Sequence, residues 1–220
     1  MKKIPIFLTL LFALSFLSFS FNALEKTAYS APIPLKAVLY VQKYQLIAVE
    51  EMHRMGIPAS IKIAQGMLES NYGESKLAQK AFNHFGLKCK EDWEGASMEY
   101  TDDETDECFR AYCSDLESFH DHTDFLRYHY RAFYDELFES KTKDYIEWAN
   151  GFQTGGYANN NHYAESLIRI IERYDLQALD ELSISDAISY NHLFPLTLEN
   201  DSLLLFDWFQ ASIQDSIPQK

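Results

Sequence analysis

A chain of 220 residues, 47% hydrophobic and 24% charged, is long enough and apolar enough for one packed domain with a tail. Its formal net charge of -14 repels phosphate backbones and argues against nucleic acid as a partner. Acidity alone names no substrate.

Lys2 and Lys3 precede an uncharged, almost unbroken apolar run from Ile4 to Phe21, the layout of a secretory signal. At roughly 18 residues the run could also span a bilayer as a retained anchor. Cleavage near Ser20 or Ala23 is the favoured reading, giving a signal peptide over 1–23 and an exported product that is periplasmic, cell-surface or secreted. No Cys follows the run to carry a lipid, so no stable membrane anchor is expected after cleavage.

From Pro34 to Met55, Val38, Val41, Tyr44, Leu46, Ile47, Val49 and Met52 recur at helical intervals, and Gly56 and Pro58 stop the helix. A second helix is predicted from about Ala59 to Ser70, with Ile61, Ala64, Met67 and Leu68 facing inward and Gly73 at its end. Between Trp93 and Tyr112 the β-prone arms MEYT and CFRAY flank the polar stretch DDETDE, which reads as a hairpin. Ser114 and Glu117 form a capping box for a helix through about Tyr128. Two further helical stretches follow, the last placing Tyr163, Leu167, Ile170, Ile171 and Tyr174 at core spacing. The fold class is α+β, mainly α, in a domain over 33–180. The tail over 181–220 contains LLLFDWF and no nameable chemistry.

Cys89, Cys108 and Cys113 lie within 25 residues of one another in a chain expected to be exported, so one disulfide and one spare thiol are expected. Cys108 and Cys113 flank one probable strand, which favours Cys89 with Cys108. There is no CxxC, and His120 and His122 would point to different faces of a helix, so neither a metal nor another cofactor is expected.

Within AQGMLESNYGES, Gln65 and Glu69 are four apart and share a helix face, which makes Gln65 a candidate substrate contact beside Glu69. In the last turn, Glu69 meets the negative end of the macrodipole and the apolar neighbours Met67, Leu68 and Tyr72, both of which favour a protonated carboxyl. That is what a general acid for a glycosidic oxygen requires. A plain solvent-facing Glu is the other reading of the residue taken alone.

In order and spacing, GIPASIKIAQGMLESNYGESKLA, FNHFGLKC, ESFHDHTDFL and GYANNNHYAESLI resemble glycoside hydrolase family 73, the glucosaminidase domains of bacterial autolysins and flagellar muralytic proteins. The resemblance runs from about Tyr40 to Leu179. It implies a lysozyme-like fold with a small β-hairpin lobe, Glu69 as catalytic acid and peptidoglycan glycan strands as substrate. It further implies cleavage of the β-1,4 bond after N-acetylglucosamine by a monomer. A second carboxylate on the hairpin is implied too: Asp102 by counting, with Asp103 and Glu104 as rivals. The family more often has Glu there. Tyr157 matches a tyrosine lining the reaction centre, with Tyr163 the alternative or else a core residue. Asn83 and Phe85 match a loop beside the catalytic helix; they contact sugar or serve as turn former and core.

Three rivals remain. A lytic transglycosylase needs a single acid, and the acidic hairpin argues mildly against it. An amidase would rest on zinc or a Cys-His pair, which the motifs do not contain. A non-catalytic wall-binding module could keep the fold without the reaction; an intact Glu69 and Tyr157 count against it.

Overall fold

The computed structural model describes residues 33–91, 93–100, 107–129 and 131–193. The expected signal segment and most of the tail lie outside them, as do Asp102, Asp103 and Glu104. Among the described residues, no helix is long and apolar enough to cross a membrane.

Helix α1, Leu35–Met55, ends on Gly56 at φ 95°, a conformation that costs glycine nothing, and the Gly56 N–H donates to Met52 O. After Pro58, α2 (Ala59–Ser70) runs through the centre of the molecule. Ile61, Ile63, Ala64 and Met67 are fully buried. Each large apolar side chain buried there contributes roughly 1.5–3 kcal/mol. Gly66 permits the close packing of α1 on α2: a Cβ there would clash with the Tyr40 hydroxyl. Helix α2 ends at Asn71 rather than at Gly73, because Asn71 takes the left-handed conformation itself (φ 49°) and Tyr72 and Gly73 follow with positive φ. Ser70 Oγ locks this turn by accepting from Gly73 N at 2.7 Å.

Helix α3 (Lys76–Ala81) is capped by Ser75, whose hydroxyl accepts from Ala78 N. Strands β1 (Ser97–Tyr100) and β2 (Glu107–Arg110) then form the expected antiparallel hairpin, with Tyr100 opposite Glu107. Helix α4 (Asp115–His129) begins at the predicted cap: Ser114 Oγ accepts from Glu117 N, and the Glu117 carboxylate accepts from Cys113 N. Helices α5 (Arg131–Ser140), α6 (Tyr145–Thr154) and α7 (Tyr163–Tyr174) complete the helical body.

The packed chain runs past Asp180, where the sequence pattern ends the domain. A 3-10 turn, Leu176–Glu181, leads to α8 (Ile184–Leu193), which packs on α1 and buries Leu182 and Ala187. Asp180 itself caps α2 from 120 residues away, accepting from Ser60 N at 2.8 Å and Ser60 Oγ at 2.6 Å. A helix N-terminus buried this deeply needs such a partner for its N–H groups.

Cys89 and Cys108 are joined, with Cα atoms 5.4 Å apart, and Cys113 is an exposed thiol. The bond fastens the loop after Leu87 to β2, where Cys89 N already donates to Cys108 O and Arg110 N to Leu87 O. On the loop-entropy model its loss costs about 3 kcal/mol. Peptide mapping of the oxidised protein is expected to recover Cys89 linked to Cys108 and Cys113 alkylated; a bridge to Cys113 overturns the pairing.

Candidate active site

Helix α2 is buried along nearly its whole length and surfaces only at Leu68 and Glu69, so Glu69 is the first carboxylate that the central helix delivers to solvent. Met67 points into the core and Leu68 is 39% exposed, so the apolar enclosure expected around Glu69 does not form. What holds Glu69 is a polar chain. The Tyr163 hydroxyl donates to Glu69 Oε1 at 2.8 Å and in turn accepts from Gln65 Nε2 at 3.3 Å. Burial, with additional contributions from Tyr157 and Glu69, keeps the Tyr163 phenol well above its usual pKa, so it stays a neutral donor.

Glu69 lines an open cleft of about 570 Å³, together with Ser75, Phe85, Lys88, Tyr100, Tyr157, Asn159 and Asn160. Such a volume suits a ligand of a few rings. Tyr157 reaches it from the turn after α6: Gly156 takes φ 73° and Tyr157 N donates back to Phe152 O. Its ring lies 5.4 Å from that of Tyr163.

A family model described as mannosyl-glycoprotein endo-beta-N-acetylglucosaminidase matches residues 45–176. The chain belongs to this glucosaminidase family. Exo-glucosaminidase LytG of Bacillus subtilis is 37% identical over 135 residues, which cover 57% of this chain and 47% of LytG. Peptidoglycan hydrolase FlgJ of Escherichia coli K12 is 27% identical over 173 residues, 73% of this chain and 52% of FlgJ. The glucosaminidase chain thus spans about half the length of the curated relatives it matches. Among solved structures, the catalytic domain of the autolysin Auto from Listeria monocytogenes superposes with a TM-score of 0.57 at 27% identity, covering 73% of this chain and 97% of that one. The mainly helical α+β architecture with its small hairpin is the lysozyme-like fold of these glucosaminidase domains.

Two of the expected sugar contacts are internal. Gln65 is fully buried and acts on Tyr163, not on the cleft. Asn83 is 1% exposed and its amide is consumed by the backbone: Nδ2 donates to Leu87 O and Arg110 O, and Oδ1 accepts from Leu87 N. It is a turn former that ties the loop to β2. Tyr163 is likewise 3% exposed and stands behind Glu69, whereas Phe85 and Tyr157 do line the cleft.

Lys62, fully buried on α2, and His122, buried on α4, were not predicted to belong here. Their signal in the sequence is a lone cation inside the apolar run Ile61 to Met67. His122 Nε2 meets the Tyr157 hydroxyl at 3.0 Å.

Proposed function

We propose that this glucosaminidase domain hydrolyses the β-1,4 bond after N-acetylglucosamine in peptidoglycan glycan strands, acting as an exported monomer at the cell wall. The observation that carries the reading is Glu69: an exposed carboxyl on the wall of an aromatic-lined cleft, with one oxygen held by Tyr163. A carboxyl group that accepts a hydrogen bond on Oε1 carries its acidic hydrogen on Oε2, the oxygen from which the glycosidic leaving group would take it. After transfer, the Tyr163 donor bond stabilises the carboxylate, and Gln65 keeps the phenol aligned. Tyr100 and Tyr157 offer ring faces against which the apolar C–H faces of sugar rings can stack, with the buried Phe85 behind the cleft wall.

Asp102 is the proposed second group; it follows Tyr100, a cleft residue, by two positions, and Asp103 and Glu104 are its rivals. A water activated by this group inverts the anomeric centre, whereas attack by the substrate acetamido group retains it. Relatives with names drawn from the cell wall, FlgJ and the Listeria autolysin, support the choice of substrate.

Digestion of purified peptidoglycan tests the reading. Mass spectrometry of the soluble products is expected to find N-acetylglucosamine at the new reducing ends. N-acetylmuramic acid there would make the domain a muramidase, an anhydro sugar would make it a lytic transglycosylase, and undigested wall would leave a binding module.

A further inference from the structure

We propose that Lys62 and His122 are positioning residues that fix the Tyr157 hydroxyl as a hydrogen-bond donor directed away from His122, for an acceptor oxygen on the sugar in the cleft. The proposal rests on the reading of the cleft as a glycan site. It goes beyond that reading in assigning a role to a buried cation that general-acid chemistry does not use.

Lys62 Nζ lies 3.0 Å from Phe119 O and 2.8 Å from His122 Nδ1, with the Phe85 ring centroid 4.4 Å away. An ammonium only donates, so His122 Nδ1 accepts and the imidazole hydrogen sits on Nε2. That Nε2–H then donates to the Tyr157 oxygen, 3.0 Å away, and the phenol's own hydrogen is turned away from His122. Three residues thus form a one-way chain from Lys62 through His122 to Tyr157.

The surroundings hold this polarity. The His122 ring is fully buried and stacks on Phe85 with centroids 3.9 Å apart and planes 5° apart, so it has no room to rotate. Burial and the adjacent Lys62 charge push His122 well below its usual pKa, which keeps it neutral. Protonating it would set an N–H against the ammonium. Lys62 is drawn down to about 7 by burial; Glu51 opposes that shift, Arg54 adds to it, and Asp124 and Asp121 also favour the charge. Glu51 is itself fully buried and bound in a fork by Arg54 at 2.7 and 2.8 Å. A neutral lysine amine could accept as well as donate. Only the charged form therefore enforces the Nε2–H tautomer.

The test starts with the intact wild-type protein and needs no turnover. Long-range ¹⁵N NMR of the histidine side chains, below the pH at which Lys62 loses its proton, is expected to show His122 with a protonated Nε2 and a bare Nδ1. An Nδ1–H tautomer or an imidazolium overturns the proposal. In a double-mutant cycle on wall hydrolysis, Lys62→Met and Tyr157→Phe should each lower kcat roughly 10- to 100-fold. Together they should lower it no further than Tyr157→Phe alone. Effects that multiply would mean that Lys62 acts independently of the Tyr157 hydroxyl and would overturn the proposal. If the wild type digests no wall at all, the functional reading fails, while the tautomer still decides the role of Lys62.

Discussion

Glu69→Gln is expected to lower peptidoglycan hydrolysis about 100-fold or more while leaving the circular dichroism spectrum and Tm unchanged. The physical basis is the isolation of the change. Glu69 is exposed at the end of α2, so no packing is lost, and the amide oxygen of Gln can still accept from Tyr163. Gln65 then keeps its own acceptor, the Tyr163 hydroxyl. Only the transferable proton disappears. A zymogram of near-normal intensity with an unchanged fold would remove Glu69 from the mechanism. A loss of activity accompanied by a lower Tm would mean that the Tyr163 chain, and not the proton, had been disturbed.

The second large effect is expected at the hairpin. Asp102→Asn should depress kcat about 100-fold, far more than Asp103→Asn or Glu104→Gln, because only a carboxylate held opposite the leaving group can activate the attacking water. Tyr100 opposes Glu107 in the register and lines the cleft, and Met98 and Tyr100 are the half-buried residues of β1. In a strand, residues two apart share a face. Asp102 and Glu104 lie outside the described residues; the sequence expectation that hairpin neighbours alternate faces makes Glu104 the first substitute. Polarimetry or NMR of the first-formed anomer completes the test, since a water route inverts and an acetamido route retains. If all three variants stay within a few-fold of wild type, the water-activation role fails and acetamido assistance takes its place.

Local periodicity and cap chemistry made much of the molecule legible. The extents of α1 and α2, the hairpin arms and the Ser114 cap each depend on neighbours a few residues apart, and all are found where the sequence puts them. The Cys89–Cys108 pair was also legible, since strand geometry leaves few partners within so short a span. The pattern could not tell which polar residues face the cleft and which are spent inside. Gln65 and Asn83 have the amide chemistry that sugars need, yet the first serves Tyr163 and the second the backbone of its own loop. The end of the packed unit escapes the sequence pattern for the same reason: Leu182 and Ala187 become core only because α8 lies on α1.

By itself, then, the sequence determined the fold class, the succession of α1, α2, hairpin and α4, and the place of Glu69 in the last turn of a buried helix, because hydrophobic period and motif spacing are properties of adjacent residues. It showed neither the short α3 nor α8, and two helices where α5, α6 and α7 make three. The tertiary structure decided the chemistry around that residue. Tyr163 reaches Glu69 across 94 positions, and Lys62 reaches His122 across 60. Hydrogen-bond partners at such separations are chosen by how α2, α4 and α7 pack, and buried polar groups with no water to turn to must find them there.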